Sequence, residues 1–357
     1  MAAGTQAAVD VHPCARRQNL RGQVMIDHWW SGAMAWVRAH WAIISRVASI
    51  VFIGLVITLL IYAATQVEWA EVVKAIRALP AGPLWIAGLI VLASYLLYST
   101  FDLLGKWYTE HPVAWWRVMM VGFISYAFTM NMGAPIGGLG LRMRLYSKFG
   151  LAQGVIMRVM ALSVTTNWMG YTFLAGVIFA LGGVQLPSNW ELGNGPFRLI
   201  GVALIAAGVA YLLLCAFSRT RSWDIRGHTI ELPTLKLALV QISIAALNWA
   251  LMGGVIYVLM LQQVPYHLVL GTLLVSAIIG ALMHVPGGLG VLESVFIALL
   301  ASEALPRSQV LGAILVYRAM YYIVPFFIAG VWYLAAEARL PASEGAAQGP
   351  STDYSPR

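Results

Sequence analysis

HVPGGLGVLESV, His284 to Val295, interrupts an otherwise apolar stretch with a proline, three glycines, a histidine and a glutamate. Its first half is unsuited to a regular helix, because proline lacks a backbone N–H and glycine leaves the backbone unrestrained. A matching break occurs upstream in APIGGLGLRMRLYSKFG, Ala134 to Gly150. Each holds GGLG near a proline: Gly137, Gly138 and Gly140 after Pro135, and Gly287, Gly288 and Gly290 after Pro286. What surrounds the two breaks decides the fold.

The surroundings are greasy. Of 357 residues 60% are hydrophobic and only 10% are charged, with a mean hydropathy of +0.78. This composition excludes an ordinary soluble domain. The chain divides into a basic amino-terminal tail (1–40), a transmembrane region (41–337) and a small-residue, polar tail (338–357) expected to be disordered. No apolar h-region precedes Trp41, so the first span is expected to serve as its own uncleaved targeting element. Cys14 and Cys215 form no disulfide framework, and no Cys/His metal spacing appears. No cofactor is expected.

Apolar runs fall at 42–63, 83–101, 113–135, 155–182, 197–217, 234–260, 268–285 and 309–335. Most approach the roughly 20 residues that a bilayer crossing requires. Full crossing by all eight would distribute the arginines and lysines in conflict with the positive-inside rule. If each glycine break is instead the tip of a hairpin that returns to its side of entry, the basic loops agree. The expected architecture is all-α and polytopic: about six full spans plus two oppositely oriented re-entrant helical hairpins, an inverted repeat. Both termini then face the cytoplasm. Non-helical backbone at membrane depth is tolerated where protein or a wet cavity satisfies its polar groups, so the breaks are expected to line a cavity.

APIGGLGLRMRLYSKFGL, PGGLGVLES and YRAMYYIVPF (Tyr317 to Phe326) together resemble the flippase-like transmembrane domain of the lysylphosphatidylglycerol synthase/flippase family. The resemblance covers about 42–335 and matches stand-alone bacterial inner-membrane members, which lack the soluble domain that aminoacylates phosphatidylglycerol. It implies a lipid flippase or transporter of the bacterial inner membrane without enzymatic activity.

Glu293, on the first turn after the second break, is a carboxylate expected near mid-membrane. Such a group needs a partner or water, and Arg318 is its nearest candidate. The pair has two readings: a structural tie between hairpin and helix, or a direct role with substrate. Arg142 matches the family's arginine after the first break, and its planar fork suits a phosphate-bearing headgroup, whereas Arg144 is expected to anchor at anionic lipid. Asn131 joins the candidate headgroup site. Asn167, Gln241 and Asn248 either line the cavity or join helices. Asp102 and Lys106 are expected on a solvated inner rim. His284 is read as a hydrogen-bonding group beside the turn, and the tryptophans as an interfacial belt.

The expected partners are membrane lipids, chiefly anionic ones. The basic loop from Ser218 and the net charge of +8 suit such lipid rather than nucleic acid. Two other functions compete with transport. A scaffold or accessory subunit would bind a lipid-biosynthesis enzyme through Arg219 to His228. A membrane glycosyl- or headgroup transferase would rely on Glu68 and Glu71, although no Asp-x-Asp pair supports it.

Overall fold

The computed structural model describes residues 69–186, 195–218, 222–225, 228–283 and 288–339, with further helical residues between 47 and 65. Both tails as far as residue 46 and from residue 340, and Arg219, Arg221, Arg226, His284, Pro286 and Gly287, lie outside them. Residues 56–341 form one compact unit, and a few helical residues from 47 to Leu55 are described outside it.

Eleven described helices follow in chain order: α1 (Trp69–Ala78), α2 (Ala81–Thr109), α3 (Trp115–Met132), α4 (Arg142–Lys148), α5 (Gln153–Ala180), α6 (Gly195–Phe217), α7 (Leu235–Leu259), α8 (Tyr266–Met283), α9 (Val291–Leu300), α10 (Arg307–Arg318) and α11 (Val324–Arg339). π-helical segments at Ala134–Leu141 and Ala319–Ile323 lead into α4 and α11. The all-α expectation needs one amendment. In the basic loop between α6 and α7, β1 (Ser222–Ile225) and β2 (His228–Glu231) pair antiparallel, with Ser222 opposite Glu231 and Ile225 opposite His228.

Among the described residues, five helical stretches are long and apolar enough to cross a membrane: α2, α6, α7, α8 and the continuous rod 307–339. Helix α5 spans 28 residues but carries Ser163, Thr165, Thr166 and Asn167 at its middle. The fold puts part of that polarity to internal use. Gln241 of α7 donates to Thr166 at 2.8 Å, and Ser163 accepts from Arg142 at 3.3 Å. Close packing supports the contact, since a Cβ added at Gly170 would lie 2.2 Å from that of Ala245.

Helix α2 packs on α3, α5 and α7. Helix α3 ends at Gly133, whose φ of +84° suits a residue without a side chain. The following π segment lies directly against α3. A Cβ on Gly137 would fall 2.1 Å from the Thr129 nitrogen, so backbone meets backbone there. Arg117, on the first turn of α3, lies 5.2 Å over the ring of Phe149, just beyond α4. A similar approach flanks the second break: Gln309 at the start of α10 donates to Gln263, just before α8, at 2.9 Å.

Candidate functional site

The described part of the second break is held by charge. Gly288 and Gly290 take φ of +57° and +78°, and α9 begins at Val291, which places Glu293 on its first turn. Arg318, at the end of α10, donates to both carboxylate oxygens of Glu293, at 2.9 Å to Oε2 and closer to Oε1. It also donates to the Gly288 carbonyl at 2.7 Å and lies 5.4 Å over the Tyr322 ring. Glu293 and Arg318 are thus brought together, as their types and positions suggested. Their side chains remain 16% and 9% exposed, which distinguishes them from a sealed core pair.

Directly after Arg318 the helix widens into its π segment, and Pro325 explains part of the local bonding. Proline has no N–H to offer the carbonyl four residues earlier, that of Tyr321. The Tyr95 hydroxyl supplies the missing donor at 2.8 Å. Asn131 donates to the Tyr322 carbonyl at 3.1 Å and to Ala127 at 2.8 Å, so this candidate headgroup residue joins α3 to the widened turn. A hydroxyl chain runs beside it: Ser94 donates to Asn248 at 2.8 Å and meets Tyr321 at 2.6 Å, and Tyr321 meets Tyr126 at 2.9 Å.

A cavity of about 300 Å³ opens next to this network. Gly133, the residue before the first break, and Gly288, within the second, both line it. Its walls are mainly apolar and aromatic, with Tyr98, Tyr126, Trp168, Tyr171, Trp249 and Tyr322 among them, and its polar positions include Thr129, Asn167 and Ser276. Asn167 therefore lines the cavity, whereas Gln241 and Asn248 join helices. The aromatic wall escapes a linear reading because its residues come from five separate helical segments. Of these six, Tyr322 falls in a motif read from the sequence, YRAMYYIVPF.

The first break ends in a different kind of pair. Arg142 is 2% exposed and donates to both oxygens of Asp102, at 3.0 to 3.2 Å. It also donates to Gly138 at 3.2 Å and Ser163 at 3.3 Å, while Tyr146 donates to Asp102 at 3.0 Å. Asp102 is fully buried, which corrects its expected place on a solvated rim: Arg142 and Tyr146 replace the water that an isolated carboxylate would require. Lys106 turns to the His111 carbonyl at 2.6 Å. Arg144 and Lys148 both reach Glu337 near the end of α11, the lysine at 2.6 Å, and Arg144 also donates to Tyr333 at 2.8 Å. Arg144 thus has protein partners in place of the lipid expected for it. Of the remaining tip residues, Pro135 is exposed, Gly137 and Gly138 are buried, and Gly140 is half-buried. Among the described residues no group of His, Cys, Asp or Glu could hold a metal ion.

Long apolar helices that enclose polar side chains and a cavity define a multi-pass helical membrane protein. The family model for the lysylphosphatidylglycerol synthase TM region matches residues 46–329, and the chain belongs to that family. It is 42% identical over 300 residues to the inner membrane protein YbhN of Escherichia coli, covering 84% of this chain and 94% of that protein. Similarity to the uncharacterized protein slr0712 of Synechocystis is 30% over 263 residues, 72% of this chain and 80% of the relative. The phosphatidylglycerol lysyltransferase of Bacillus subtilis is 23% identical over 76% of this chain, which spans only 32% of that longer protein.

Proposed function

We propose that this protein moves a phospholipid or related lipid between the leaflets of a bacterial inner membrane. The observation that carries the reading is the convergence of Gly133 and Gly288 on one cavity, beside an Arg318–Glu293 pair bonded to the Gly288 carbonyl. In this reading both breaks are tips of re-entrant hairpins with opposite orientation, among about six full spans, and both termini face the cytoplasm. The approaches of Phe149 to Arg117 and of Gln309 to Gln263 support a return to the side of entry in each case. Opposed half-helices around a midplane site suit alternating access.

Arg318 presents a fork able to take a lipid phosphate when Glu293 releases it, and it is the principal headgroup residue. Arg142 serves to fix the first hairpin on α2 through Asp102, and Asn131 holds the widened turn. The protein acts without group-transfer chemistry of its own. The test is leaflet exchange of fluorescent phospholipids in proteoliposomes of the purified chain. Exchange is expected from the wild type and its loss from Glu293→Gln at unchanged expression and melting temperature. Absence of exchange by the wild type for anionic, zwitterionic and cationic headgroups alike would reject the reading.

A further inference from the structure

Glu293 depends on a single residue. Arg318 grips its carboxylate with two N–H groups, and among the described residues no other side chain bonds or ion-pairs with it. Asp102 differs, because it keeps the Tyr146 hydroxyl as a second donor beside Arg142. The helices packed on α9 are α8 and α10. Helix α8 carries Tyr266 and His267 at its end away from the break, and α10 carries Arg307 at its start and Tyr317 beside Arg318. Tyr322 of the π segment lies under the Arg318 guanidinium, and Glu303 is exposed beyond α9. His284 is outside the described residues. No charged side chain among the described residues lines the adjoining cavity, which Gly288 and Leu292 border.

A phosphate on Arg318 would claim the same donors. The guanidinium edge that fits a carboxylate also fits two phosphate oxygens, so a headgroup bound there displaces Glu293. With 16% of its side chain exposed and no second cation in reach, the freed carboxylate lacks the water and the charge that would keep it ionised. Protonation resolves this. One negative charge then leaves the site as another enters, and Arg318 never stands without a counterion.

We propose that movement is coupled to protons: when a headgroup phosphate takes the place of Glu293 on Arg318, Glu293 binds one solvent proton, and both are released together on the opposite side. As the phosphate leaves, the carboxyl O–H bond breaks to solvent and the ion pair re-forms. The inference rests on the headgroup role of Arg318 proposed above and adds the driving force. Its test uses the full chain in phosphatidylcholine vesicles with a small fraction of fluorescent phosphatidylglycerol, whose single negative charge makes joint movement with a proton electroneutral. Under a gradient of about one pH unit the lipid should gather in the leaflet facing the alkaline side, beyond protein-free vesicles. The limit for one proton per lipid is about tenfold. Nigericin, with potassium on both sides, should even it out. Glu293→Asp should retain the accumulation and Glu293→Gln should lose it. Accumulation by Glu293→Gln equal to that of the wild type would overturn the role of Glu293. Exchange by the wild type that ends evenly despite the gradient, or favours the acid-facing leaflet, would overturn the coupling and leave lipid movement standing. Absence of any exchange would overturn both.

Discussion

Arg142 and Asp102 form a sealed ion pair, 2% and 0% exposed, that fastens the turn after the first glycine break to the central helix α2. Both charges have left water, so neither is tolerable alone. Asp102→Asn should therefore cost about 3–5 kcal/mol, the usual penalty for stranding one member of a buried pair. Melting in detergent measures it. Replacing both charges at once, by Asp102→Leu with Arg142→Met, should recover a large part of that loss, and a double variant no better than the single one would refute the pairing argument.

The bond from the Tyr95 hydroxyl to the Tyr321 carbonyl compensates for the N–H that Pro325 lacks. Tyr95→Phe should destabilise by about 1–3 kcal/mol, because a buried carbonyl then goes unserved. Pro325→Ala restores an N–H in the helix. In that background Tyr95→Phe should cost less, and a double-mutant cycle reads the difference.

Glycine at 137 is required by space rather than by φ. Gly137→Ala forces a methyl group toward the Thr129 backbone, where the approach is 2.1 Å, and should sharply reduce folded yield and melting temperature. Gly154 in the first turn of α5 has nothing within 4 Å of its added Cβ. Gly154→Ala should be neutral or slightly stabilising, through helix propensity.

His111, in the short loop between α2 and α3, is 5% exposed, and neither of its ring nitrogens has a hydrogen-bond partner among the described residues. Burial pushes its pKa below the ordinary 6.5, with the Lys106 charge adding to the effect and Asp102 opposing it. The folded protein therefore binds this proton less readily than the unfolded chain. The stability it contributes is complete above about pH 6.5 and declines as the pH falls from there through the lowered value. Melting temperature against pH should fall on that side, and His111→Phe should flatten the slope.

How much of this was legible along the chain depends on distance in sequence. Mean hydropathy and run length marked the membrane helices, since crossing lipid is a local demand on about 20 residues. The two GGLG segments marked the places where backbone must bend or approach backbone, and Gly137, Gly288 and Gly290 meet those demands in the fold. Even the Glu293–Arg318 pair was open to inference, because few charges occur in the apolar stretches and each needs an opposite.

What sequence left open was which partner each polar group would find across the bundle. Asp102 read as a rim residue because a carboxylate near a helix end ordinarily faces water, and only folding brings Arg142, 40 residues away, against it. The cavity wall joins Tyr98, Tyr126, Trp168 and Trp249 from different helices. No period along the chain encodes that meeting. Thus the sequence by itself determined a helical membrane chain with two glycine breaks, since those follow from solvent and backbone sterics acting locally. The tertiary structure decided which charges are sealed, which remain accessible and what the breaks enclose, because burial and pairing are properties of neighbours in space.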